Sequence, residues 1–200
     1  YLGNIIVNGH QDTKGRTNDF NLVDPVVPLF EKNQQTNNYV EELQQLGPDK
    51  FAEDIKNKKH TLITDTTMRD AHQSLLATRM RTDDLINIAE FYSNNLSELF
   101  SIECWGGATF DTSMRFLKED PWDRLAKINH QAPNILKQML LRGSNAVGYK
   151  NYPDNIVKFF VKEAAQAGID VFRVFDSLNL IENMKVSIEE VRNQNKICEG

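Results

Sequence analysis

The sequence has few cysteines and no long apolar run. Its 200 residues include only two cysteines, Cys104 and Cys198, which lie far apart and form no Cys-x-x-Cys motif. A structural zinc site or a disulfide framework is therefore not expected, and a reducing compartment fits best. No stretch approaches the roughly 20 apolar residues of a membrane span, so we predict a soluble protein that does not enter a membrane.

An excess of basic residues is also missing. The 23 Lys and Arg residues are outnumbered by 28 Asp and Glu, for a net charge of −5, so nucleic-acid binding is not expected. The N-terminus, Tyr1–Asn4, has no methionine and no signal-like segment, and we interpret it as the internal end of a longer chain.

Residues 1–38 contain too few apolar side chains to fold alone. The sequence predicts a short strand at Asn4–Val7, an Asn-Gly turn, an extended Asp24–Pro28 segment and a polar connector at Asn33–Asn38. We assign 1–38 to a linker or tetramerisation-allosteric segment. Apolar residues at helical spacing then predict a helical lead-in over 39–60.

From residue 61 onward the pattern alternates between strands and helices. Predicted strands begin near residues 62, 99, 136 and 171, and each is followed by an amphipathic helix. Mostly apolar strands at this spacing predict four βα units with a parallel, buried sheet. The pattern fits either an open α/β sheet or the first half of a (β/α)₈ barrel, which needs about 250 residues when complete.

Every predicted strand ends in polar or glycine-containing residues, at the end where α/β proteins place their sites. They are Arg69, Asp70, His72 and Gln73 after the first strand, Glu103, Gly106-Gly107 and Asp111 after the second, Arg142, Asn145 and Tyr149 after the third, and Asp176 and Asn179 after the fourth. The agreement of four strand ends predicts a site at this edge of the sheet.

Each candidate also has a structural alternative. Asp70 is a suitable ligand for Mn²⁺, Mg²⁺ or Zn²⁺, and its structural alternative is an N-cap or a loop salt bridge with its neighbour Arg69. Arg142 is suited to a substrate carboxylate, or to a structural ion pair. His72 is a possible ligand or base, although packing is its simpler role. Cys104 and Met139 are predicted core residues.

Four stretches together resemble the biotin-dependent carboxyltransferase domains: Thr64–Arg79, Glu103–Asp111, Gln138–Gly143 and Asp170–Asp176. They stand in that family's order and cover about residues 61–180. Within the family, Asn145–Asn155 and the leading residues 1–9 favour the pyruvate carboxylase branch.

The resemblance implies a fold and a set of roles. The fold is α/β, the N-terminal half of a (β/α)₈ barrel over 61–200 with its first four βα units. Asp70 becomes a metal ligand, Arg142 binds the pyruvate carboxylate, and Arg69 with Gln73 lies at the substrate and biotin pocket. Arg69, Asp111 and Tyr149 form the polar network that receives carboxybiotin.

The implied activity is the carboxylation of pyruvate to oxaloacetate by carboxybiotin. It implies biotin on a carrier domain, a divalent metal (Mn or Zn), and ATP, Mg and bicarbonate at a biotin carboxylase domain outside this sequence. A homotetramer, activation by acetyl-CoA, and a cytoplasmic or mitochondrial-matrix location also follow. The alternatives are an oxaloacetate decarboxylase or transcarboxylase α subunit, a related metal-dependent lyase, or a non-catalytic scaffold. The remaining metal ligands, a carbamylated lysine and a His-x-His pair, have no counterpart in the sequence.

Overall fold

A computed structural model of the chain describes residues 1–15 and 38–200. These two stretches belong to separate compact units. No helix within them is both long and apolar enough to cross a membrane. The predicted extended segment Asp24–Pro28 and nearly all of the connector Asn33–Asn38 lie outside the described residues.

The first unit begins with a helix where the sequence predicted a strand. Helix α1 covers Leu2–Asn8 and ends at Gly9, whose φ of 75° suits a glycine. The Gly9 amide donates to the carbonyl of Ile5 at 2.8 Å. A strand needs a partner strand for its backbone groups, and residues 1–15 contain none, so local helical bonds satisfy them instead. The prediction of a strand at Asn4–Val7 is wrong.

Two short helices precede the sheet, as the helical spacing predicted. Helix α2 covers Tyr39–Leu46 and helix α3 covers Pro48–Asn57, with Gly47 at φ 76° turning the chain between them. Asn38 caps α2, since its side-chain oxygen accepts the amide of Glu41 at 3.1 Å. The buried side chains of both helices form a cluster with residues at the starts of the strands, namely Tyr39, Leu43, Phe51, Leu136 and Val171. The two helices therefore cover the N-terminal end of the sheet.

The sheet has five parallel strands in sequential order. They are β1 Thr64–Asp65, β2 Ser101–Gly106, β3 Leu136–Leu141, β4 Val171–Val174 and β5 Ile197–Glu199. The starts predicted for the third and fourth strands agree with the structure, and the first two lie two residues later than predicted. The prediction of only four strands omitted β5, because its three residues are too short to produce an apolar pattern.

Helices alternate with the strands. They are α4 His72–Leu75, α5 Thr82–Asn95, α6 Gly107–Thr112, α7 Pro121–Gln131, α8 Asp154–Gln166 and α9 Ile181–Asn193. Two π-helical turns, Thr67–Ala71 and Ser113–Leu117, and a 3₁₀ turn at Gly143–Asn145 complete this part of the chain.

The strand order favours a barrel over an open, doubly wound sheet. Right-handed crossovers that always lead to the next strand place every helix on the same face of the sheet. On that face Ile102, Cys104 and Phe172 join the main apolar core, fully buried against helix residues such as Leu85 and Leu125. The predicted core positions of Cys104 and Met139 are confirmed, since both are fully buried.

The opposite face of the sheet is polar, as in a barrel whose interior carries a site. The hydroxyl groups of Thr64 and Ser101 lie 2.7 Å apart, and Ser101 donates to the side-chain oxygen of Gln138 at 2.7 Å. Glu103 and Gln138 are fully buried although both are polar. The chain is thus a mixed α/β structure with the sheet and helix arrangement of half a (β/α)₈ barrel.

Candidate active site

The π-helical turn after β1 determines where Arg69 and Asp70 lie. The Thr66 carbonyl accepts the amides of Arg69, Asp70 and Ala71 at 3.2, 2.8 and 3.2 Å. Asp65 accepts the amide of Thr67 at 2.9 Å and so fixes the start of the turn. The sequence predicted a polar strand end here, but not this tight turn.

Arg69 is a buried cation between two carboxylates. Only 5% of the residue is exposed. Its Nε donates to Oε1 of Glu103 at 2.5 Å, its Nη2 contacts the same oxygen, and its Nη1 donates to Oδ1 of Asp70 at 2.8 Å. The guanidinium is therefore fixed from both sides.

Asp70 has the salt bridge that its structural alternative predicted. About half of its side chain remains exposed at the end of the sheet. Among residues 1–15 and 38–200, no group of three or more His, Cys, Asp and Glu residues could hold a metal ion. A metal role for Asp70 thus requires further ligands, and it stays a prediction.

Gln73 connects the first strand end to the second. Its side-chain oxygen accepts the amide of Ala108 at 3.3 Å, at the start of α6. Gly106 precedes that helix with φ 82°, and a Cβ there would collide with the backbone of Leu140 on β3. The Gly-Gly pair thus permits a close approach between two strands, and Gln73 lies against Gly107 on the other side.

Asp111 and Tyr149 lie together, as predicted, but Arg69 is not in contact with them. The hydroxyl of Tyr149 donates to Oδ2 of Asp111 at 3.2 Å. Arg115, one helical turn further on, pairs with Oδ1 of Asp111 at 3.2 Å. The only charged partners recorded for Arg69 are Glu103 and Asp70 among the residues described, so the structure brings together two of the three proposed members.

Arg142 lies beside this pair. Its guanidinium is 5.3 Å from the centre of the Tyr149 ring, and its Nη1 donates to the carbonyl of Gly148 at 3.1 Å. Within the part of the chain that the structure describes, no carboxylate forms an ion pair with it. The structural ion pair proposed as its alternative role is therefore not found there.

His72 has the packing role that was the simpler interpretation. It is buried, and its Nε2 lies 2.7 Å from the Met68 carbonyl, to which it donates a hydrogen bond. Burial lowers the pKa of His72 below its usual value, and the positive charges of Arg124 and Arg69 act in the same direction. The imidazole supports the turn through its hydrogen bond to the Met68 carbonyl.

Asp176, after β4, acts as a loop cap. Its carboxylate accepts the amides of Leu178 and Leu180 at 2.9 and 3.2 Å and the side-chain amide of Asn183 at 3.1 Å. The hydrogen bonds from Leu180 and Leu178 lower the pKa of Asp176. All its near partners belong to its own loop and the helix that follows.

Two residues of the site were not assigned a role from the sequence. The sequence indicates Glu103 only as a strand-end residue, and Arg173 only as part of the stretch Asp170–Asp176. In the structure Arg173 Nη1 lies 2.9 Å from Oε2 of Glu103, so Glu103 is shared by two arginines. A single charged residue inside a mostly apolar strand is the signal that could have identified each of them.

No family model matches the chain, but known proteins match all of it. Pyruvate carboxylase from Staphylococcus aureus (strain Mu50) is 50% identical over 201 residues, and the mitochondrial pyruvate carboxylase of Homo sapiens is 49% identical over 200 residues. The match covers 100% of this chain but only 18% and 17% of those two proteins. The chain thus spans less than a fifth of the curated relatives.

Solved structures of related proteins also match the whole chain. The carboxyl transferase domain of Rhizobium etli pyruvate carboxylase, solved with pyruvate, has a TM-score of 0.85 and 58% sequence identity to the chain. The same domain solved with pyruvate and biocytin gives a TM-score of 0.84 at 57% identity. Each match covers 100% of this chain, and 34% and 33% of the respective domain structures.

The fold is therefore that of part of a carboxyltransferase barrel. More specifically, the chain is homologous along its whole length to a segment of the pyruvate carboxylases. The decarboxylase, transcarboxylase and lyase alternatives are not favoured by these matches.

Proposed function

We propose that the chain forms one half of the carboxyltransferase site of a pyruvate carboxylase. This site transfers the carboxyl group of carboxybiotin to pyruvate and gives oxaloacetate. The observation that carries the proposal is the Arg142 guanidinium, which lies at the mouth of the sheet beside Tyr149 without a carboxylate of its own among the described residues. A chain 58% identical was solved with pyruvate as a carboxyl transferase domain.

Arg142 binds the pyruvate carboxylate in this proposal. A guanidinium offers two parallel N–H donors that match the two oxygens of a carboxylate. The Gly148 carbonyl and the Tyr149 ring hold one side of the group, which leaves its other donors for a small anion. This contact orients pyruvate so that its methyl carbon faces the incoming carboxyl group.

Asp111, Tyr149 and Arg69 receive carboxybiotin, with Gln73 beside them. The Tyr149 hydroxyl already donates its proton to the Asp111 carboxylate, so the pair offers acceptor oxygens to the N–H groups of a urea-like ring. Supporting this, Gln73 lies against Gly107 between the first two strand ends. Arg69, held between Glu103 and Asp70, contributes its guanidinium from the end of the first strand.

Asp70 is the one metal ligand that this chain contributes in the proposal. Its half-exposed carboxylate is the kind of hard oxygen ligand that Mn²⁺ and Zn²⁺ accept, so the residue fits the role. A divalent ion bound there would supply charge stabilisation for the enolate form of pyruvate. The family resemblance implies that a carbamylated lysine and a His-x-His pair outside this segment complete the site.

The proposed transfer breaks one bond in carboxybiotin and forms one bond in the product. The C–N bond of carboxybiotin breaks, a C–C bond forms at the methyl carbon of pyruvate, and the proton lost from that carbon passes to biotin. Arg142 fixes the carboxylate through these steps, and the largely buried Arg69 favours negative charge nearby.

We further propose that the segment works within a multifunctional enzyme. Its partners are a biotin carrier domain and a biotin carboxylase domain that uses ATP, Mg and bicarbonate. We assign 1–38 to a linker or allosteric segment, 39–60 to a lead-in and 61–200 to the barrel, in a homotetramer activated by acetyl-CoA. One similar structure is that of the Rhizobium etli enzyme with the allosteric activator acetyl coenzyme-A. The location is the cytoplasm, or the mitochondrial matrix in a eukaryote, as in the mitochondrial rat and human relatives.

The test is an assay of the intact protein that contains this segment. We expect oxaloacetate to form from pyruvate only when ATP, bicarbonate and biotinylated enzyme are all present, and avidin to abolish the activity. A biotinylated protein that cleaves ATP with bicarbonate yet forms no oxaloacetate from pyruvate would contradict the proposal.

A further inference from the structure

Side chains of alternating charge lie in a row across the polar face of the sheet, which is the face opposite the main apolar core. The row consists of Arg69, then Glu103 on β2, Arg173 on β4 and Glu199 on β5. Arg173 Nε donates to Oε1 of Glu199 at 2.9 Å, and its Nη1 lies 2.9 Å from Oε2 of Glu103. We call these four residues the charge row.

Glu103 is the centre of this row. It is fully buried, and both of its oxygens are used: Oε1 holds Arg69 and Oε2 holds Arg173. The Gln138 side-chain amide also approaches Oε2 at 3.4 Å. A fully desolvated carboxylate is costly unless it is paired, so two guanidiniums and an amide donor make this arrangement stable.

The contact with Arg69 has a directional consequence. Both Nε and Nη2 of Arg69 lie on Oε1 of Glu103, so one edge of the guanidinium is occupied and its orientation is set. Nη1, on the other edge, reaches Asp70 at the end of the sheet. Without Glu103, the long arginine side chain would have several rotamers available instead of one.

We propose that Glu103 is a positioning residue for carboxyl transfer, which acts by holding Arg69 in its orientation, and that Arg173 supports it by sharing its charge. This inference rests on the proposed function. It adds a residue that touches neither pyruvate nor biotin to the working parts of the site.

The test uses Glu103→Gln in the intact, biotinylated enzyme, because glutamine keeps the shape and removes the charge. We expect the rate of carboxyl transfer to pyruvate to fall about tenfold to a hundredfold, as for other supporting residues. Bicarbonate-dependent ATP cleavage at the other domain should stay within about twofold of wild type, a change that corresponds to well under 1 kcal/mol. Thr64→Val is the matched control, since the Thr64 hydroxyl faces the same interior but bonds to Ser101 rather than to Glu103 or its partners.

A double-mutant comparison separates positioning from general damage. In an Arg69→Ala background, Glu103→Gln should lower carboxyl transfer by less than about twofold more, because its effect passes through Arg69. The inference would be overturned if Glu103→Gln lowered carboxyl transfer in that background as much as it does in the wild type. It would also be overturned if the single variant had an unchanged rate. A wild-type enzyme without pyruvate carboxylation would instead refute the proposed function.

A second variant covers the case in which Glu103→Gln does not fold. Arg173 is about one-third exposed, so Arg173→Met removes the far partner of Glu103 at lower risk to folding. We expect a smaller fall in carboxyl transfer that again disappears in the Arg69→Ala background. A crystal structure of either variant with the Arg69 guanidinium unmoved would contradict the inference independently of activity.

Discussion

At the scale of single residues, the site depends on how each arginine is held. Arg69 is nearly enclosed and has a carboxylate on each side, whereas Arg142 is only partly buried and rests on a tyrosine ring and a carbonyl. A cation without an anionic partner is suited to bind an anionic substrate. A cation that already pairs with two carboxylates is suited to a fixed electrostatic role instead. The two residues thus have different parts in the proposed reaction.

Arg142→Lys should weaken pyruvate binding selectively. Lysine keeps the charge but loses the planar pair of donors and the stacking on Tyr149, so we expect the KM for pyruvate to rise about tenfold or more, the effect of roughly 1.4 kcal/mol. Bicarbonate-dependent ATP cleavage should not change. Lys150→Gln, which removes a nearby exposed charge, is the control. An unaltered KM in steady-state assays of Arg142→Lys would exclude the assigned role.

Asp70→Ala should lower the metal content of the intact enzyme. Loss of a carboxylate ligand commonly weakens metal binding by about tenfold or more, and oxaloacetate formation should fall with it. Elemental analysis of the purified variant measures this directly. Asp111→Asn serves as the comparison and should keep its metal, because Asp111 is paired with Tyr149 and Arg115 instead. Wild-type metal content in Asp70→Ala would show that the carboxylate only serves the salt bridge with Arg69.

At the scale of secondary-structure elements, a buried ion pair fastens the start of α5 to α7. Glu119 accepts the Thr82 hydroxyl at 2.6 Å and Nη2 of the fully buried Arg124 at 2.9 Å. Burial by itself would raise the pKa of Glu119, but the hydrogen bonds from Thr82 and Arg124 together lower it to about 2. The pair thus joins the first turns of two neighbouring helices.

Glu119→Gln should loosen both helices. Removing the carboxylate leaves Arg124 buried without its counter-charge, which we expect to cost about 2 to 3 kcal/mol. Hydrogen exchange followed by mass spectrometry in the intact protein should show faster exchange in α5 and α7. Asp123→Asn breaks only the exposed pair with Lys127 and should change exchange little. Equal exchange rates in α5 and α7 of Glu119→Gln and wild type would show that the ion pair does not hold these helices together.

The same pair predicts a pH dependence. Because the pKa of Glu119 is lower in the folded protein than its ordinary value of 4.5, its stabilising effect is complete above about pH 4.5. It is lost as the pH falls from there towards about 2. The difference in protection between wild type and Glu119→Gln, corrected for intrinsic exchange, should therefore shrink over this range and be constant between pH 6 and 8.

The two glycines between β2 and α6 should respond differently to alanine. Gly106 has φ 82° and faces the Leu140 backbone, so Gly106→Ala should destabilise the β2–β3 pairing by about 2 kcal/mol or more. Gly107, at φ 53°, would place an alanine Cβ 3.2 Å from the side-chain oxygen of Gln73 and in ordinary contact with the side chains of Leu140 and Arg69, with no backbone clash, so Gly107→Ala should destabilise the protein less and should mainly reduce carboxyl transfer. Melting temperature and activity measured on both variants separate the effects. A less stable Gly107→Ala with an unaffected Gly106→Ala would reverse this interpretation.

At the scale of the whole molecule, the two ends of the sheet have separate tasks. The C-terminal end carries the charged site, and α2 with α3 covers the N-terminal end with a cluster of aromatic rings. Phe51 and Phe100 stack at 6.2 Å between ring centres, and Tyr39 meets Phe100 edge-on at 5.8 Å. We therefore expect substitutions in the aromatic cluster to change stability without changing the proposed chemistry.

Phe51→Ala should show this separation. Phe51 is fully buried, and truncating such a side chain costs about 3 to 5 kcal/mol. We expect a lower melting temperature but an unchanged KM for pyruvate at temperatures where the protein is folded. Lys50→Ala, at an exposed neighbouring position, is the control. A raised KM in Phe51→Ala at low temperature would show that the two ends are coupled.

Much of the fold could be predicted because its causes are local or periodic. The apolar strands β3 and β4 were placed at their observed starts, and the Asn38 and Gly47 ends of α2 follow from capping chemistry. The strand at Asn4–Val7 was predicted wrongly, because β-branched residues favour strands only when a partner strand exists. The short β5 was missed, since three residues cannot show a period.

The sequence by itself determined the alternation of strands and helices and the placing of Arg69, Asp70, Arg142 and Tyr149 at strand ends, since these depend on local pattern. Only the tertiary structure decided their partners. Arg69 meets Glu103 across 34 positions of sequence, whereas its contact with Asp111 is not found among the described residues. The cause is geometric. Parallel strands place residues that are distant in sequence side by side, and packing of the whole core sets the register of those strands.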